Sequence, residues 1–133
     1  MFVLDTNTLI YFFKGEGRVA ERLLSVSPQE IGLPSMVLFE LEVGIAKSTR
    51  PEKRTRQLEE MLALIQVLPF GLEEARCAAL IRAELERQGS PIGPYDILIA
   101  ATAMVRGAIL VTRNTREFER IQGLRLQDWF GSP

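Results

Sequence analysis

The sequence contains no histidine and a single cysteine, Cys77. Without histidine there is no imidazole pair for metal-independent RNA cleavage, no Ser-His-Asp triad and no His-containing zinc site; with one cysteine there is no Cys-rich zinc site and no internal disulfide. A lone thiol suits a reducing compartment. Long apolar runs are also missing. The longest, Ile97 to Val105, is interrupted by Thr102 and is too short to span a bilayer. The chain passes from Met1 directly into Phe2-Val3-Leu4 with no basic segment and cleavage signal, so a cytoplasmic protein with no membrane association is expected. Gly/Ser-rich linkers, low-complexity stretches and internal repeats are absent, so residues 1–133 read as one domain. Any hydrolytic chemistry must therefore come from carboxylates, whose oxygens favour hard cations.

What is present is the composition of a globular protein. Of 133 residues 47% are hydrophobic and 25% charged, and a chain of this length buries about two-thirds of its unfolded surface without staples. The net charge of −1 gives no global attraction for nucleic acid. Local charge differs. Lys47, Arg50, Lys53, Arg54 and Arg56 stand against Glu52 alone, and Arg113, Arg116, Arg120 and Arg125 form a second basic cluster. Such clusters are either solvated helix faces or the walls of a phosphate-binding groove, in which case binding would depend steeply on salt.

Short apolar runs at Phe2–Leu4, Glu30–Leu33, Val67–Pro69, Ala108–Thr112 and Leu124–Gln127 have the character of strands covered on both faces. Between them, helical periodicity covers Thr6–Phe13, Gly17–Val26, Met36–Lys47 (opened by Pro34-Ser35), Pro51–Gln66, Leu72–Gln88 (stopped by Gly89) and a segment from Pro94 to Arg106 ended by Gly107. Strands alternating with helices predict an α/β sandwich with a central, mainly parallel sheet.

Four carboxylates stand out against this pattern. Asp5 follows the first strand directly, at the strand end where parallel sheets bind ligands; it is equally placed to N-cap the helix from Thr6. Asp96 lies in the first turn of a helix that is otherwise almost entirely apolar, where the helix dipole favours it by roughly 0.3–1 kcal/mol. Glu40 interrupts the apolar run Met36-Val37-Leu38-Phe39, and a carboxylate there needs a partner, a cation or a proton. Glu42 occupies an equally apolar face, and periodicity does not choose between the two. Glu117 follows Asn114 at capping-box spacing, so it reads either as a cap or as a fourth acid just beyond the strand ending at Thr112. Two carboxylates about 4 Å apart repel by roughly 4 kcal/mol at an effective dielectric of 20. A divalent cation would relieve such a cluster.

The segments Val3-Leu4-Asp5-Thr6-Asn7, Glu40-Leu41-Glu42-Val43-Gly44, Ile92 to Ala101 with Pro94-Tyr95-Asp96, Leu110 to Phe118 with Thr112-Arg113-Asn114, and Gly123 to Trp129 together resemble a PIN-domain ribonuclease toxin of the VapC type, from bacterial toxin–antitoxin modules. The resemblance runs from end to end. It implies a PIN-like three-layer α/β/α sandwich. It also assigns the family's first three acids to Asp5, Glu40 (not Glu42) and Asp96. Position 114 is Asn where some relatives carry Asp, so the fourth acidic position falls on Glu117. Thr6, Asn7, Thr112 and Asn114 become polar supports for water or phosphate.

The resemblance further implies Mg²⁺ or Mn²⁺ at the four acids, water attack on an RNA phosphodiester (in initiator tRNA, at the anticodon loop), a homodimer, and a cognate VapB-like antitoxin laid over the site. A PIN-domain RNA-processing nuclease and an inactive RNA- or partner-binding scaffold share many of these features. A phosphoacceptor signalling domain would require paired acids after the first strand and a lysine near the last, whereas Asp5 precedes Thr6-Asn7 and the lysines are Lys14, Lys47 and Lys53. Three expectations concern packing. Cys77 reads as a core or interface thiol, Trp129 and Phe130 as docking the tail onto the sheet, and helices Met36–Ala46 and Leu58–Ile65 as carrying a dimer surface.

Overall fold

In the computed structural model, which describes residues 1–131, five three- or four-residue strands form one sheet in which every neighbouring pair is parallel. The strands are β1 (Phe2–Leu4), β2 (Ile31–Pro34), β3 (Gln66–Leu68), β4 (Ile109–Val111) and β5 (Arg125–Gln127), in the order β3-β2-β1-β4-β5. Consecutive strand residues point to opposite faces, yet Val3 and Leu4 of β1 and Leu110 and Val111 of β4 are all fully buried. Both faces of the sheet are therefore covered, which explains why these strands read as unbroken apolar runs.

The helices that cover it are α1 (Thr6–Lys14), α2 (Val19–Leu24), α3 (Ser35–Lys47), α4 (Glu52–Leu62), α5 (Leu72–Arg87), α6 (Pro94–Val105) and α7 (Thr115–Phe118). With right-handed crossovers, strands added on either side of β1 place their helices on opposite faces, giving the PIN-like α/β/α sandwich. The chain leaves β1 toward β2 and returns to pair β4 on the other side. The carboxyl ends of β1 and β4 thus meet where the strand order reverses, the usual ligand address of such sheets.

Element ends depart from the periodicity in instructive places. The helical pattern of Pro51–Gln66 stops at Leu62, because Gln66 is drawn into β3 opposite Gly32. The segment from Gly17 to Val26 is helical only over Val19–Leu24. Gly17 has φ +61° and lies so close to Phe130 that an added Cβ would sit 2.7 Å from that residue's ring and carbonyl oxygen. Glu30 belongs to a 3₁₀ turn over Pro28–Glu30 rather than to β2. Tail docking divides between two surfaces. Trp129 is buried with its ring 5.3 Å from Phe2 of β1, whereas Phe130 packs on Tyr11 of α1, at 4.9 Å, and not on the sheet. Cys77 is half-buried on α5, and burial, with the nearby charge of Glu74, pushes its thiol pKa up. Glu74 accepts from the Gly71 amide at 2.9 Å and pairs with Arg106 at 2.9 Å, tying the start of α5 to the end of α6. No helix among the described residues is long and apolar enough to cross a membrane.

Candidate active site

Asp5 stands immediately after β1, its amide still donating to the Val111 carbonyl of β4 at 3.2 Å, so the backbone ladder itself delivers the side chain to the strand ends. It also caps α1, Oδ1 accepting from the Thr8 amide at 2.9 Å. The capping role read in the sequence is therefore filled, at a strand end. Asp5 is 7% exposed, and burial pushes its carboxyl pKa up; the hydroxyls of Thr112 and Thr8 and the Thr8 amide pull the other way, and the charge of Asp128 adds to the rise. Asp128 is a fifth acid near the site that residue patterns gave no reason to select. It lies in the tail, and only the β4–β5 pairing brings it beside Asp5.

Glu40 reaches the site from α3. Its Oε1 accepts from the Thr6 hydroxyl at 2.7 Å, linking α3 to the first turn of α1, while Glu42 is exposed on another face. Asp96, in the first turn of α6, is strongly perturbed. Its pKa is pushed up to about 7 by desolvation first, then by the charge of Glu117 and a hydrogen bond to it, and then by the charges of Asp5 and Glu40. The charges of Asp5, Glu40 and Glu117 thus all reach Asp96, even though the four acids come from the end of β1 and from α3, α6 and α7.

Glu117 does not make the capping box its spacing suggested. The Asn114 side chain caps nothing; its Nδ2 donates to Glu117 Oε2, and the Asn114 amide instead donates to the Thr112 hydroxyl at 3.0 Å. Glu117 Oε1 accepts from the amide of Gly93, the residue before α6, at 3.1 Å. The carboxylate is thereby turned away from its own helix and toward the start of the helix that carries Asp96. Thr112 is fully buried, and Asn7 and Asn114 are exposed. A cavity of about 280 Å³ opens beside these groups, lined by Asp5, Asn7, Tyr11, Arg113 and Asn114. An apolar hollow of similar size, about 290 Å³ between α1 and α4, shares no residue with it and gathers no such acids.

The matches to known proteins agree with this geometry. Residues 2–124 match the PIN domain. The tRNA(fMet)-specific endonuclease VapC of Salmonella typhimurium is 40% identical over 128 residues, covering 96% of this chain and 97% of that protein. Ribonuclease VapC2 of Haemophilus influenzae is 39% identical over 131 residues, covering 96% and 97%. The chain belongs to the PIN-domain family, among the VapC ribonucleases. Its activity is that of an endoribonuclease of the toxin–antitoxin type, which sets aside the phosphoacceptor reading. Among solved structures, VapBC2 from Rickettsia felis bound to a DNA fragment from its promoter superposes with a TM-score of 0.89 at 33% identity, covering 96% of this chain and 98% of that one.

The donor chemistry at the PIN-type strand ends fits a hard divalent cation. Every candidate donor is an oxygen, and four carboxylates that raise the pKa of one of their number lack a counter-charge. Among the described residues, no three acidic side chains already converge as a closed ligand set.

Proposed function

We propose that this chain is a Mg²⁺- or Mn²⁺-dependent endoribonuclease toxin that hydrolyses a phosphodiester bond of initiator tRNA in the anticodon loop. The proposal also makes it a cytoplasmic homodimer neutralised by a cognate VapB-like antitoxin. The observation that carries it is that the charges of Asp5, Glu40 and Glu117 all act on Asp96 near the carboxyl ends of β1 and β4, in a chain alike over 96% of its length to a tRNA(fMet)-specific endonuclease. The likeness to an antitoxin-bound VapBC2 supports the partner. The exposed Phe39 of α3 supports a self-association surface.

Asp5, Glu40 and Asp96 are the primary ligands in this reading, and Glu117 is the fourth. Held by these carboxylates, Mg²⁺ or Mn²⁺ would offset their repulsion and supply Lewis-acid activation of water and phosphate. The residues divide the remaining work. Asp5 is fixed by the Thr8 amide and held against β4, so it presents a preset oxygen. Thr6 orients Glu40 through its hydroxyl. Glu117 holds the Gly93 amide and so sets the start of α6, and with it Asp96. Thr112 shapes the turn that carries Asn114, whose amide group orients Glu117, while Asn7 stands at the cavity wall to meet phosphate or water.

The test is cleavage of initiator tRNA with mapped fragment ends. Chelation abolishes cutting and Mg²⁺ or Mn²⁺ restores it, and Asp96→Asn removes cutting while the fold persists. Cleavage indifferent to chelator refutes the metal mechanism, and wild-type cleavage by Asp96→Asn refutes the site. Cleavage confined to another RNA refutes the substrate.

A further inference from the structure

The cavity beside Asp5 has one cationic wall residue, Arg113, and its side chain is held in an unusual way. The guanidinium carbon lies 3.6 Å from the centroid of the Phe130 ring and 5.6 Å from that of Tyr11, and the two rings meet nearly edge to face. Among the described residues no carboxylate comes within 4.0 Å of its nitrogens, and none of the side-chain hydrogen bonds uses them. An exposed arginine on the same cavity wall as a carboxylate would ordinarily be expected to pair with it. Here an aromatic face holds it, and stacking leaves the in-plane N–H donors of a guanidinium unspent.

The platform is itself fixed. The Phe130 amide donates to Asp128 Oδ1 at 2.8 Å, and its carbonyl accepts from the Arg18 amide at 2.9 Å. Its ring fills the space that the missing side chain of Gly17 leaves open. Phe130 lies beyond residues 2–124, the span matched to the PIN domain, and Tyr11 lies within it, so the tail completes a platform begun by α1. Ordering an arginine costs side-chain entropy, and a rigid aromatic support removes much of that cost before any ligand arrives.

The geometry points to Arg113 as a phosphate-contacting residue that holds the RNA strand at the mouth of the cavity beside Asp5, with Phe130 as its positioning residue. Deepening the endoribonuclease reading, and resting on it, the assignment answers an electrostatic difficulty. Four acids repel an incoming RNA backbone as well as one another, and a free, pre-oriented guanidinium at the rim offers two parallel donors to one phosphate. Its donors engage substrate directly, whereas Phe130 acts only through Arg113.

Binding separates this role from cleavage. The full chain carrying Asp96→Asn, which is expected to bind without cutting, is titrated in Mg²⁺ with a labelled initiator-tRNA anticodon stem-loop at several salt concentrations. Adding Arg113→Ala should weaken binding about tenfold and flatten the slope of log K against log salt by about 0.7–0.9, the loss of one phosphate contact. Phe130→Leu keeps the charge, so it should weaken binding several-fold with the slope unchanged. In the cutting protein, Arg113→Ala should raise KM with kcat nearly preserved. Unchanged affinity and slope in Arg113→Ala overturn the assignment, as does a variant that loses antitoxin binding while RNA binding is intact. Wild type that binds the stem-loop but cuts no RNA refutes the nuclease reading alone; wild type that cuts, with the Arg113 variant binding equally well, refutes the phosphate contact alone.

Discussion

Replacing Asp96 by Asn should do two opposite things, destroying activity and stabilising the metal-free fold. The Asp96 carboxyl has an ordinary pKa of 3.8 and is pushed up to about 7 by desolvation, by Glu117 and by the other two acids. A folded-state pKa above the unfolded one means the native protein binds the extra proton. That contribution is fully present below pH 3.8 and is lost as pH rises toward 7. At about 1.4 kcal/mol per unit the whole shift corresponds to about 4 kcal/mol, and solvent screening at a half-buried position reduces this to about 2 kcal/mol. The amide of Asn carries no charge and can donate toward Glu117 as the protonated carboxyl does. In chelator, urea unfolding followed by circular dichroism should therefore show Asp96→Asn more stable than wild type by about 2 kcal/mol at pH 8 and nearly equal to it at pH 4. Excess Mg²⁺ should reverse the order at pH 8, because only the wild type gains from binding it. A variant no more stable at pH 8, or equally more stable at both pH values, would falsify the idea that these acids form a strained cluster awaiting a cation.

Other outcomes follow from the same geometry. Glu117→Gln keeps an oxygen for the Gly93 amide, so it should cost less than about 1 kcal/mol in unfolding experiments while lowering cleavage at least tenfold if the charge is needed. Unchanged cleavage would leave Glu117 as a strut for α6. Thr6→Val should release Glu40 and lower kcat in steady-state RNA cleavage with little change in thermal stability, since the lost bond is worth about 1 kcal/mol. Leu110→Ala, in the fully buried centre of β4, should cost roughly 3 kcal/mol by denaturant titration, and a cost below 1 kcal/mol would contradict a sheet covered on both faces.

The local code of this chain was strong where one period dominates. The apolar triplets around Val3 and Leu110, the glycines after α5 and α6, and Pro94 at the start of α6 place those elements within a residue or two of where they lie. The code failed where a partner outside the window decides. Residues 63–66 continue a helical stripe, yet pairing with β2 wins because it satisfies backbone groups that a longer helix would leave unmatched at the sheet edge. Asn114 and Glu117 spell a capping box, but Gly93, 24 residues upstream, offers the glutamate a better donor.

Residue types alone determined that any catalysis here rests on oxygen ligands, because the sequence contains no histidine and one cysteine. They also put Asp5 at the end of an apolar strand, and the family resemblance named Glu40. Only the tertiary structure decided which acids share a place. Asp5, Glu40, Asp96 and Glu117 span more than a hundred residues, and the charges of the other three reach Asp96 only because strand order reverses between β1 and β4. The β4–β5 pairing brings the charge of Asp128 to Asp5, and tail docking brings Phe130 beneath Arg113. Those are long-range contacts, and no local window contains both partners.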